Sequence, residues 1–189
     1  HKNIHQIKIE LYGSLAYTYK GHGTDKALIL GLCGETPENI QIEKKDKIIS
    51  SVLNANAFKI KDTNHLVGFD IKKDLIAIKD KHNFRFSNTI IFLLFDKKNN
   101  ILGKHIYYSI GGGFIIEEND NTVNTSPDVP YPFTSGNELL KITEKNNFRI
   151  YDLIMSNEES FLSRGEIENK ILGIWKIMNK SIYNGMTKS

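Results

Sequence analysis

The sequence predicts an α+β fold: a mixed or largely antiparallel sheet covered by helices, followed by a C-terminal helical extension. Three features carry that expectation. Ile7, Ile9 and Leu11 alternate with Lys8 and Glu10, the two-residue period of a half-buried strand. Asn88 to Phe95 is a β-prone run with apolar residues on both faces, hence a central strand; Asp96 to Asn100 is a turn, and Ile101 to Ser109 returns as the second arm of a hairpin. In the last third, Ile167, Ile171, Ile174, Met178 and Ile182 recur at helical spacing with Trp175 beside them.

Composition bounds the class. The chain has 189 residues, 40% hydrophobic and 25% charged, enough for one good core and a short appended element. The net charge is +3, but lysines and acids are interleaved, so no basic stripe forms and nucleic acid is not an expected partner. No apolar run approaches the roughly 20 residues of a membrane span. The opening His1 in place of Met suggests part of a longer chain. The single cysteine, Cys33, allows no intrachain disulfide, which fits a reducing cytoplasm, and cannot by itself hold a cysteine-ligated cluster.

The elements follow in order. After the strand at Ile7 to Leu11, Thr24 is a good N-cap, Asp25 suits a first helical turn, and Ala27 to Leu30 supply a buried face until Gly34 and Pro37 stop the helix. Ile42 to Phe58 reads as a helix with a charged face at Glu43 to Lys47 and a core face of Ile48, Val52 and Leu53. Phe58 to Ile60, Leu66 to Ile71 and Leu75 to Ile78 read as short strands, with His65 and His82 in polar connections as surface histidines. Beyond the hairpin, Gly111, Gly112 and Gly113 precede a strand at Phe114 to Ile116 and mark a corner or a close backbone approach. Glu117 to Pro132, with Pro127 and Pro130, is a loop. Thr134 or Ser135 caps a helix through Glu138 to Ile142, Tyr151 to Ser156 forms a second, and a third begins near Ser163. The organisation expected is a first domain over 1–117, a proline-bearing loop over 118–133 and a helical extension over 134–189.

The stretch from Tyr12 to Ala27 concentrates chemistry. An apolar strand feeds a polar turn that opens a helix, bringing Lys20, His22, Thr24 and unpaired backbone N–H groups to a positive helix end. A carboxylate or phosphate would be held there, and a neutral His22 would be able to take a proton. On spacing alone, a solvated surface turn is the commoner outcome, since Gly-His-Gly is not a phosphate fingerprint.

The residues themselves resemble a known family. Gly13-Ser14-Leu15-Ala16, Thr18, Lys20 to Asp25, Gly31-Leu32, Gly34-Glu35 and Pro37-Glu38 match the YGSLAxTxKGHGTD…GLxGExPE segment of the iron–sulfur-dependent L-serine dehydratases. Tyr107 to Phe114 resembles the family's YYSxGGGF, Pro130 to Leu140 its PYPFxSGxELL, and Leu153 to Glu158 and Ile174 to Met178 its following helices, so the likeness spans nearly the whole chain as a β domain. In place of the family's HPNxMRF stands Phe86 to Phe92, with Asn88 and Phe92 kept, Phe86 at the histidine and Ile91 at the arginine.

The resemblance implies conversion of L-serine to pyruvate and ammonia, with a 4Fe-4S cluster whose ligands lie in a catalytic α domain or α chain outside this sequence. It implies His22 as the catalytic base. Ser14, Lys20, Gly21, Gly23, Thr24, Asn88, Ser109, Gly111, Gly112 and Gly113 would bind L-serine or a similar small carboxylate. A homodimer is expected, with no metal ligand in this chain. The same scaffold resembles the allosteric substrate-binding domain of some phosphoglycerate dehydrogenases, which implies the rival expectation of a non-catalytic small-anion or serine-binding regulatory module.

Overall fold

A computed structural model describes residues 3–120 and 128–187. The chain divides into two compact units, His1–Val123 and Asn124–Ser189.

The first unit is built on a seven-stranded mixed sheet. Strand β1 (Gln6–Leu11) lies inside it, antiparallel to β5 (Thr89–Phe95), which is antiparallel in turn to β6 (Ile101–Gly111), with β7 (Phe114–Glu117) at one edge. On the other side of β1 stand β3 (Leu66–Gly68) and β4 (Leu75–Ala77), both parallel to it, with β2 (Ala57–Lys59) antiparallel to β3 at the far edge. The α+β expectation therefore holds, and Asn88 to Phe95 lies centrally, with apolar residues on both faces because both faces pack.

One face carries Ile7, Ile9, Leu11, Ile90, Phe92 and Leu94 in register against the main core. Covering that core are α2 (Thr24–Leu32) and α3 (Ile42–Ala55), through Ile29, Ile49 and Val52. Helix α3 is rotated from the expected register: Ile49 and Val52 are buried while Leu53 is 42% exposed. It also ends earlier, because Asn56 takes the left-handed conformation (φ 48°) that turns the chain into β2. The opposite face holds a smaller core of Ile91, Ile106, Tyr108 and Ile116, covered by Tyr12, Phe84 and Phe86.

The long strand expected at Leu66 to Ile71 is cut short. Asp70 caps a one-turn helix, α4 (Ile71–Asp74), by accepting the Lys72 N–H at 3.0 Å. The carboxylate of Asp74, only 3% exposed, is satisfied by the Asp70 N–H and the Gln6 side-chain amide, both at 2.8 Å. A buried carboxylate needs such donors, and these hold β3 and β4 on the same edge of β1.

The second unit comprises α5 (Gly136–Asn146), α6 (Ile150–Glu158) and α7 (Arg164–Thr187). Ser135 caps α5, and Glu138 accepts the Thr134 N–H and hydroxyl at 2.7 and 2.8 Å, a reciprocal box. Tyr131 and Asn157 exchange two hydrogen bonds of 2.9 Å, and the Tyr131 ring meets Phe148 edge-on, which fixes the Pro-Tyr-Pro-Phe segment against α6. Part of the expected loop, including Pro127, lies outside the described residues. No helix among the described residues is long and apolar enough to cross a membrane.

Candidate functional site

The polar stretch after β1 is not an open turn. Gly13 (φ 63°) starts a short helix, α1 (Ser14–Thr18), and a run of turn bonds continues it: His22 N–H to Thr18 carbonyl at 3.1 Å, Gly23 N–H to Lys20 at 3.2 Å, Thr24 N–H to Tyr19 at 2.8 Å. Gly23 then takes the left-handed conformation (φ 70°) and is the N-cap of α2. Thr24 is accordingly the first helical residue rather than the cap, because the preceding turn already uses its N–H. At the other end, Gly34 (φ 80°) closes α2 with the Glu35 N–H to Leu30 carbonyl and the Gly34 N–H to Gly31 carbonyl, a Schellman ending where Gly34 was expected to stop the helix.

Asn88 ties this stretch to the sheet. Its Oδ1 accepts the Ser14 hydroxyl at 2.7 Å and the Ser14 N–H at 3.1 Å, while its carbonyl accepts the Ser109 N–H at 2.9 Å. The ladder continues upward: Thr18 hydroxyl to Ser14 carbonyl at 2.9 Å, then His22 N–H to Thr18 carbonyl. Ser14, Asn88, Ser109 and His22 thus belong to one bonded chain. His22 is exposed, and its imidazole makes no hydrogen bond among the described residues.

The other expected site residues make no side-chain bond to this ladder among the described residues. Lys20 and Gly21 are exposed in the turn, the Lys20 ammonium 5.7 Å from the Tyr19 ring centre. Gly111, Gly112 and Gly113 form the β6–β7 reversal with φ of 95°, 62° and 84°. A Cβ on Gly111 or Gly113 would meet nothing within 4 Å, so positive φ explains these glycines, not close packing.

Beside Gly13 lies a cleft of about 410 Å3 whose walls include Tyr17, Lys79, Lys81 and His82. The expectation of His82 as a plain surface histidine does not hold. Its ring packs against Tyr12 and Phe84 at 5.3 and 5.0 Å, and Nδ1 is buried with no hydrogen-bond partner. The signal was in the sequence: His82, Phe84 and Phe86 alternate with exposed neighbours, so His82 points the same way as two core rings. His65 is likewise engaged, its Nε2 on the Ile4 carbonyl. Phe86 and Ile91, which stand where the resembled motif has histidine and arginine, are both core positions: Phe86 packs on Tyr108 and Ile91 is 1% exposed.

Electrostatics discriminates among the nearby phenols and the thiol. The Tyr12 hydroxyl donates to Glu10 at 2.9 Å, and burial together with that carboxylate raises its pKa to about 12. It stays a proton donor at neutral pH. Burial, with Glu35 adding, raises the Cys33 thiol above its ordinary value. No group of three His, Cys, Asp or Glu among the described residues could hold a metal ion. A single cysteine does not supply the several thiolates that a four-iron cluster takes.

Fold and bonded turn together define an α+β module that presents an unencumbered imidazole on the turn between α1 and α2. Residues 1–120 match the model of the serine dehydratase beta chain, and the chain belongs to that family. It is 36% identical over 184 residues to L-serine dehydratase TdcG of Escherichia coli K12, covering 95% of this chain and 40% of that protein. Against an L-serine dehydratase of Streptomyces coelicolor it is 30% identical, covering 98% and 42%, and against one of Haemophilus influenzae 30%, covering 96% and 40%. The chain thus spans about two fifths of the length of the curated relatives it matches.

Proposed function

We propose that this chain is the β part of an L-serine ammonia-lyase, converting L-serine to pyruvate and ammonia together with a catalytic α domain or α chain. The observation that carries this reading is the ladder from Asn88 through Ser14 and Thr18, which fixes the backbone of His22 while leaving its imidazole free. In this role His22 takes the Cα proton of serine, the β-hydroxyl leaves, and the resulting aminoacrylate tautomerises and hydrolyses to pyruvate and ammonia. Lys20 and the backbone around Gly21, Gly23 and Thr24 hold the carboxylate. Ser109 and the Gly111–Gly113 turn form the far wall. The 4Fe-4S cluster implied by the family's chemistry belongs to thiolates other than the lone Cys33 of this sequence. Two copies assemble in the working enzyme, in the cytoplasm.

The test is anaerobic pyruvate formation from L-serine by the chain combined with its α half, compared with His22→Gln. A general base contributes on the order of 100- to 10,000-fold, so turnover should fall by at least about 100-fold with the melting temperature unchanged, since His22 is exposed. Unchanged turnover would remove His22 from the role. A regulatory, serine-binding module is the second reading, favoured by Phe86 and Ile91, core residues that stand where the resembled motif has histidine and arginine. Serine binding by calorimetry, with no turnover in any combination, would select it.

A further inference from the structure

We propose that the cleft beside Gly13 binds a phosphate group, held by Lys79, Lys81 and the Nε2 edge of His82, as a site separate from the turn that carries His22. His82 is the anomaly that points to it. Its ring is wedged between Tyr12 and Phe84, with centroids 5.3 and 5.0 Å away. Nδ1 is the one buried side-chain nitrogen or oxygen among the described residues that has no hydrogen-bond partner. A buried polar atom of this kind calls for an explanation. Nε2 has no protein partner among the described residues either, but it is not buried, and His82 lines the cleft. A neutral imidazole has one N–H and one bare nitrogen. The tautomer with its proton on Nε2 avoids burying an N–H that has no acceptor. It also leaves a donor on the open edge of the ring.

The cleft, of about 410 Å3, is lined by Lys79 and Lys81 as well. Lys79 is steadied by Tyr17, whose hydroxyl donates to the Lys79 carbonyl at 3.2 Å and whose ring centre lies 5.1 Å from the Lys79 ammonium. Neither lysine makes an ion pair among the described residues. Asp80 lines the same cleft and offsets one of the two charges, which leaves one net positive charge. The clefts lined by Lys97 and Lys98 and by Lys176 and Lys180 hold no orphaned polar atom.

The donors select the ligand. Two ammonium groups and an imidazole N–H only donate, so what they share must accept. They come from three separate side chains. A tetrahedral phosphate offers an oxygen to each, whereas a carboxylate has two oxygens for three donors.

Inorganic phosphate titrated into the full chain is the test, with the imidazole nitrogens followed by NMR and the binding constants taken from calorimetry. The His82 signals are identified by their loss in His82→Phe, which keeps an aromatic ring between Tyr12 and Phe84. Phosphate should shift the His82 Nε2 signal saturably, and acetate should bind more weakly. Lys79→Gln and Lys81→Gln should each weaken phosphate about 3-fold, as removal of an exposed charge does. His82→Phe should weaken it about 10-fold, the loss of a hydrogen bond to a charged group. That variant also removes the unpartnered Nδ1, so its melting temperature should not fall. The two lysine variants lie at exposed positions and carry the test even where His82→Phe fails to fold. Lys20→Gln should bind phosphate as the parent chain does. Binding that ignores the lysine and His82 substitutions, or that is lost in Lys20→Gln instead, would overturn the site. Acetate binding as tight as that of phosphate would overturn the choice of ligand.

Discussion

Asn88 grips Ser14 twice, its one side-chain oxygen accepting the hydroxyl at 2.7 Å and the backbone N–H at 3.1 Å across 74 residues of sequence. The consequence is mechanical. The base of α1 is fastened to the start of β5, and through the Asn88 carbonyl to Ser109 on β6. His22, two helical bonds above Ser14, takes its place from that fastening.

Replacing Asn88 by Ala removes the acceptor of both bonds and should lower stability by about 1–2 kcal/mol, the worth of one or two partly solvated hydrogen bonds. Asn88→Asp keeps an acceptor in the same position and should lose less than half as much. Urea unfolding of the two variants decides the matter. Equal losses would mean that the side-chain amide, not its oxygen, matters.

Gly13 and Gly113 both have positive φ, but they should respond very differently to alanine. A Cβ on Gly13 would stand 2.1 Å from the Ser87 carbonyl oxygen, a backbone atom that cannot move aside cheaply, whereas one on Gly113 meets nothing within 4 Å. Gly113→Ala should cost about 1 kcal/mol, the conformational term alone. Gly13→Ala adds a backbone clash and should cost several times that, at least about 3 kcal/mol. Chemical denaturation of both variants measures the contrast, and a mild Gly13→Ala would place the strand-to-helix junction elsewhere.

Much of this framework was legible in the sequence, and the misses have identifiable causes. Ile7, Ile9 and Leu11 announced β1 by alternation, and the pair Thr134 and Ser135 announced the start of α5, with Ser135 the one that caps it. Helix α1 was not legible, because its five residues are too few for a periodic pattern and depend on the distant Asn88 for anchorage. The early end of β3 and the turn of α4 were hidden for a similar reason: that turn is held by Asp74 accepting from Gln6, a contact across 68 residues. At the candidate site, the bond between Ser14 and Asn88 joins residues 74 apart, and no local pattern announces it. His82 was passed over because its polar neighbours masked a two-residue alternation with Phe84 and Phe86.

Tyr12 should make the fold sensitive to alkali. Burial and the neighbouring Glu10 raise its phenol from the ordinary 10.0 to about 12, so in the folded chain the proton is kept longer than in the unfolded one. Between those values the unfolded chain ionises first and is favoured, and stability falls as pH rises. Tyr107 and Tyr108 are shifted upward by burial too, beside Glu117 and Glu118. Tyr12→Phe should therefore flatten the fall in urea midpoint above about pH 10 without abolishing it. An unchanged slope would assign the whole effect to the β6 tyrosines.

The helical unit should be sensitive to acid instead, with Glu138 as one source. The Thr134 N–H and hydroxyl hold its carboxyl below the ordinary range, and Arg149 does the same for Asp152, and Ser163 for Glu166. A depressed carboxyl pKa stabilises the fold fully above its unfolded value, and that contribution is lost as pH falls through the folded one. Glu138→Gln retains the shape but not the charge, so it should weaken α5 at neutral pH and lose that deficit in acid, once pH has fallen through the lowered value of the native carboxyl. Helical circular dichroism during thermal unfolding, recorded at both pH values, tests the pair. A deficit that persisted in acid would show that the glutamate acts through packing rather than through its charged acceptor oxygens at the helix start.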